Sequence, residues 1–60
     1  MSNKFQIGDF GLCEFISRPK RGMKNWFHIY VTVIDIDDGN VLLRDNEDFL
    51  YLALAPFWVP

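Results

Sequence analysis

One cysteine and one histidine are all that this chain has of the residue types that most often staple or metallate a small domain. A lone Cys13 excludes an internal disulfide and points to a reducing compartment. A lone His28, next to Trp26 and Phe27, leaves no ligand set for a metal ion. Nor does the sequence signpost a nucleophile or carboxylate that would orient the imidazole for catalysis, so His28 reads as a packing residue. No apolar run approaches the roughly 18–20 residues of a membrane span, and Met1-Ser2-Asn3-Lys4 opens no signal peptide. Internal repeats and low-complexity tracts are missing as well. The expectation is a single soluble, cytoplasmic domain over residues 1–60, frayed at 1–4, with no cofactor, no metal and no membrane partner.

What is present is apolar and aromatic. Half of the 60 residues are hydrophobic, and six Phe, two Trp and two Tyr make ten aromatics. A chain this short buries only about 60% of the surface its unfolded form exposes. With no disulfide or metal to help, stability must come from tight packing or self-association. Part of this apolar surface has to face something other than its own core. Charge is uneven behind a net −2. Residues 1–28 carry five cations against two acids, whereas residues 29–60 carry Arg44 alone against six acids. A dipolar surface of this kind steers charged partners or pairs head-to-tail with a copy of itself.

Taken in order, Phe5-Gln6-Ile7-Gly8-Asp9 reads as a lead-in whose Gly8-Asp9 turns the chain into a first strand, Phe10 to Ser17. Proline, glycine and four cations between Ser17 and Asn25 predict an exposed loop. From Trp26 to Ala55 the chain reads as a three-stranded meander. Ile29, Val31, Thr32, Val33, Ile34 and Ile36 are β-branched and suit a pleated surface. Asp38-Gly39 fits a two-residue type I′ turn, which needs positive φ at its centre. Val41 to Leu43 run back, Asp45 to Asp48 break the strand, and Phe49 to Leu54 supply the third. Pro56 fits a short helical turn, and Phe57-Trp58-Val59 a last short strand.

The acidic stretch Asp35-Ile36-Asp37-Asp38-Gly39-Asn40 invites a calcium-loop reading, but counted from Asp35 the glycine falls at position 5 and Asn46 at position 12. The register fails, and an acidic hairpin tip is the better reading. Both parities of the long first strand of the meander and of its third strand are apolar, where a solvated antiparallel sheet would show polar residues on one. One such face looks outward in a closed barrel, unless a bulge near Ile34 turns Ile36 inward and shrinks it.

These features resemble the SH3-like small barrels, the group that includes Tudor, chromo-like and KOW-type modules. The resemblance spans residues 5–59 and rests on strand order and turn placement: the Phe5–Asp9 lead-in, the Phe10–Ile16 strand, a long loop, the meander, the proline-bearing turn and the final strand. It implies an all-β, five-stranded barrel with a short helical turn near Pro56. Peptide-binding SH3 domains proper carry an acidic first loop and paired tyrosines, which this chain lacks. For a Tudor-type cage the residues available by type are Trp26, Tyr30, Phe49 and Tyr51.

The function expected is that of a non-enzymatic protein-binding module, self-associating or serving as an accessory or inhibitory subunit of the phage or plasmid type. Tyr30, Phe49, Tyr51 and Trp58 are its candidate interface residues, since large aromatics dominate interface hot spots. The alternative is nucleic-acid binding through Arg18, Lys20, Arg21 and Lys24, with Trp26 for base stacking. An acidic pI of about 5.0 speaks against it, because a basic footprint is the expected mark. An active site assembled from several copies is the least supported reading.

Overall fold

The computed structural model describes residues 4–17 and 25–60. Four strands account for the fold: β1 (Phe10–Ser17), β2 (Asn25–Asp37), β3 (Asn40–Asp45) and β4 (Leu50–Trp58). All pairings are antiparallel, and β1 is bonded to both β2 and β4, so the sheet closes into a barrel. Closure matters for a chain rich in β-branched and aromatic residues, because each strand then has a hydrogen-bonded neighbour on both sides. The basic segment 18–24 lies outside the described residues.

The β2–β3 hairpin turns at Asp38 (φ 48°) and Gly39 (φ 85°), between the paired Asp37 and Asn40. Positive φ at both central positions is the type I′ geometry expected of Asp-Gly. Val33 pairs with Leu43 but Asp35 pairs with Leu42, so Ile34 is the additional residue of a β-bulge. The bulge reverses the parity of β2: Ile36 lies opposite the buried Val41, at the rim of the sheet, where it stays 38% exposed.

The core consists of Cys13, Phe15, Val31, Val33, Val41, Leu43 and Ala53. Phe15, Phe27 and Tyr51 pack as a ring trio, with centroids 4.9–5.4 Å apart. Elsewhere in the core Trp58 lies over Gly11, stacks on Phe5 at 4.8 Å and donates its indole N–H to the Lys4 carbonyl at 2.8 Å. The lead-in is bonded to β2, since Gly8 N–H reaches the Val33 carbonyl and Val33 N–H the Asp9 carbonyl. Gly8 has φ 96°, which glycine adopts freely.

Two sequence expectations need correction. The described residues form four strands rather than five, and no helical turn forms near Pro56. β4 instead runs unbroken, pairing with β3 through Leu50–Ala53 and with β1 through Ala53–Trp58. Glu14 pairs with Phe57 and Ile16 with Leu54, so Ala55 and Pro56 together oppose Phe15. The surplus residue is absorbed by a bulge in which Ala55 takes a left-handed φ of 48°. A bulge is also where a strand tolerates proline, whose missing N–H costs no ladder bond there.

Candidate protein-interaction surface

The barrel orders the outward side chains of β1 and β2 into rows. Phe10 lies beside Thr32, Leu12 beside Tyr30, Glu14 beside His28 and Ile16 beside Trp26. β4 extends two of them, setting Phe57 next to Glu14 and Leu54 next to Ile16. Inward positions of β1 and the first part of β2 carry Cys13, Phe15, Val31 and Val33, so alternation alone sends these partners to the outside. Three of them remain widely open to solvent: Phe10 is 60% exposed, Trp26 61% and Tyr30 53%. Phe10 and Tyr30 stack at 5.8 Å with an interplanar angle of 18°, which fixes two large rings as one plate.

One polar pair is set among these apolar rows. His28 Nδ1–H donates to Glu14 Oε1 at 3.0 Å, with the carboxylate side chain 21% exposed. The bond orients the imidazole, whose side chain is 49% exposed. Beyond it the face offers hydrophobic area and ring planes, which suit protein recognition.

The other candidate residues are dispersed. Phe49 is 63% exposed at the β3–β4 turn. Its backbone N–H and that of Glu47 both donate to Asp45 Oδ1, an Asx-type turn that leaves the phenyl ring outside. Tyr51 and Trp58, expected at an interface, instead point inward. Tyr51 belongs to the ring trio and donates its hydroxyl to Asp45 Oδ2 at 2.6 Å. That bond is the main reason the Asp45 carboxyl sits below its ordinary range. Burial first, and then the bond to Asp45, push the Tyr51 hydroxyl up to about 12. Trp26 and Tyr30 face outward while Tyr51 faces inward, so Trp26, Tyr30, Phe49 and Tyr51 form no common cage.

On β4 the leucines take the outside: Leu50 and Leu52 are exposed, and Leu52 pairs with Leu42 on β3. Leu42 and Leu52, with Asp35, Asp37 and Asn40, line an open groove of about 300 Å³. Sequence reasoning missed Phe10, Leu12 and Ile16 as surface residues. The signal was present in β1, where placing Cys13 and Phe15 inside leaves Phe10, Leu12, Glu14 and Ile16 for solvent.

No group of three His, Cys, Asp or Glu among the described residues is placed to hold a metal ion. Cys13 is buried, and burial pushes its thiol up to about 11, which keeps it protonated and unreactive at neutral pH. No helix among the described residues is long and apolar enough to cross a membrane. Comparison with protein families, with curated proteins and with solved structures gives no match to this chain.

Proposed function

We propose that this chain is a small, non-enzymatic protein-binding module of the SH3-like barrel type that engages its partner through the outer face of β1 and β2. The observation that carries this reading is the stacked Phe10–Tyr30 plate with Leu12 beside it, and a second apolar row, Ile16 and Trp26, beyond the single Glu14–His28 pair. Apolar patches of this extent mark interaction sites on small soluble proteins. Across this face β1 is paired with β2 on one side and, from Cys13 to Ser17, with β4 on the other, so a partner seated on the face itself meets it by side-chain packing. The SH3-like assignment draws support from the Gly8 lead-in, the type I′ hairpin and the way β4 is shared between β3 and β1 across the bulge at Ala55-Pro56. The partner is a second copy or a larger protein that this chain serves as an accessory or inhibitory subunit.

The test is a paired substitution, Phe10→Ala with Tyr30→Ala, assayed for oligomeric state and for partner capture from a source lysate. Loss of both activities with an unchanged circular dichroism spectrum is the expected outcome. Retention of both would sink the proposal.

Nucleic-acid binding is the second reading, favoured by the 61% exposure of Trp26, two residues after the last of the four cations Arg18, Lys20, Arg21 and Lys24. Phosphate-driven binding would quench Trp26 fluorescence and weaken steeply between low and moderate salt. Quenching that ignores salt would remove this reading.

A further inference from the structure

We infer that the partner on the β1–β2 face is a second copy of this chain, related by a twofold axis running along the strands between β1 and β2. The inference rests on the reading of that face as a protein-binding surface and adds who binds it and how.

The face is complementary to itself. A twofold interface is isologous, so a patch must fit its own image. An axis along the strands lays β1 of one copy over β2 of the other. Each row then meets its counterpart reversed: Ile16 under Trp26 of the partner subunit, Leu12 under Tyr30 of the partner subunit. Large rings fall on smaller aliphatic groups, the alternation that lets side chains interdigitate. Charge selects this axis over the other in-plane choice. Glu14 and His28 are the carboxylate and the imidazole of these rows. Reversal brings Glu14 to His28 of the partner subunit and His28 to the partner's Glu14, two reciprocal contacts. An axis perpendicular to the strands would lay carboxylate on carboxylate, with repulsion in the middle of a drying patch.

Area places the interface in its size class. At roughly 200 Å² per aromatic side chain, the exposed fractions of Phe10, Trp26 and Tyr30 amount to about 350 Å². Half-buried Leu12 and Ile16, with His28 and Thr32, bring each copy toward roughly 500 Å². The total of about 1,000 Å² is the lower bound for a specific interface, so the dimer should be a weak, reversible one.

The experiment is sedimentation equilibrium of the full chain from about 1 to 200 μM. It compares wild type, Tyr30→Lys, Glu14→Arg, His28→Glu, and an equimolar mixture of the last two. Wild type should dimerise. Tyr30→Lys should be monomeric, and each charge variant alone should associate about tenfold or more weakly. The mixture should recover association, because Arg at position 14 of one chain then meets Glu at position 28 of the other while His28 meets Glu14. A merely structural role for the pair within one chain gives no recovery in trans. Circular dichroism of each variant confirms folding, and Tyr30→Lys leaves the polar pair intact should either charge variant fail to fold. A wild type that stays monomeric at 200 μM, a dimer insensitive to Tyr30→Lys, or a mixture that does not recover would each overturn the inference. A monomer whose capture of another protein is still abolished by Tyr30→Lys refutes self-pairing alone. Indifference of both readouts refutes the binding reading as well.

Discussion

Replacing Ala55 by glycine should stabilise this protein, although glycine inside a strand ordinarily weakens it. Ala55 holds φ 48° within the bulge that joins the two halves of β4. For a residue with a Cβ the left-handed region costs roughly 1–2 kcal/mol. Glycine removes that strain and gives back about 0.5–1 kcal/mol through the greater freedom of its unfolded chain. The net gain is about 0.5–1 kcal/mol. With a urea slope near 1 kcal/mol/M for so small a domain, the midpoint should rise by about 0.5–1 M. The melting temperature should rise by several degrees. The sign matters more than the size. Had Ala55-Pro56 been part of a helical turn, the same substitution would cost about 1 kcal/mol. A midpoint that falls in urea, with unchanged slope, would refute the bulge and the strain argument together.

Three further outcomes follow from other positions. A Cβ at Gly11 would lie 3.3 Å from Cε3 of Trp58, so Gly11→Ala should shift the indole by a few tenths of an ångström, lower stability by about 1 kcal/mol and move the tryptophan emission; identical melting and emission would refute the contact. The Tyr51 hydroxyl is held up to about 12 and Asp45 is held low. Stability from Tyr51 should therefore be full below about pH 10 and decline as pH rises toward about 12, while that from Asp45 should fade as pH drops through its depressed range. Tyr51→Phe should flatten both limbs and remove the latest step in the tyrosinate absorbance titration; a titration unchanged by Tyr51→Phe would refute the assignment. Cys13, fully buried, should react with a thiol reagent only as fast as the sheet opens, so a rate matching a free thiol in native buffer would contradict its placement.

The sequence carried the chemistry of turns better than the sidedness of strands. Asp38-Gly39 specified its hairpin locally, because positive φ is a property of two residues. The bulge at Ile34 was legible as an option, and pairing with β3 decides it by setting Ile36 against Val41. β4 was harder, because both parities of Leu50–Leu54 are apolar and periodicity alone cannot choose between them. Closure chooses: Ala53 pairs with both Val41 and Ser17, a place where three strands converge and only a small side chain fits inside. That sends Tyr51 inward with Ala53 and leaves Leu50 and Leu52 outside. Pro56 misled for a related reason. Proline signals an interruption, but whether the chain answers with a helical turn or a bulge depends on the strand across from it. For the site, Tyr30 and Trp26 were identifiable by type, whereas the Phe10–Tyr30 plate requires the register between β1 and β2.

The double pairing of β4 also bears on how the chain comes to be folded. The first three strands can pair in sequence order, but the ring is completed only when β4 reaches back to β1, joining Cys13 to Trp58 across most of the chain. Contacts so distant in sequence are slow to form, because loop-closure entropy is spent before they return anything. On a ribosome the consequence is sharper: Trp58 clears the exit tunnel only after the rest of the domain has been made. Until then β1 lacks its second neighbour, and its unpaired edge beside Cys13 and Phe15 is open to wrong partners. The meander can therefore form early, but the barrel closes only once β4 has arrived.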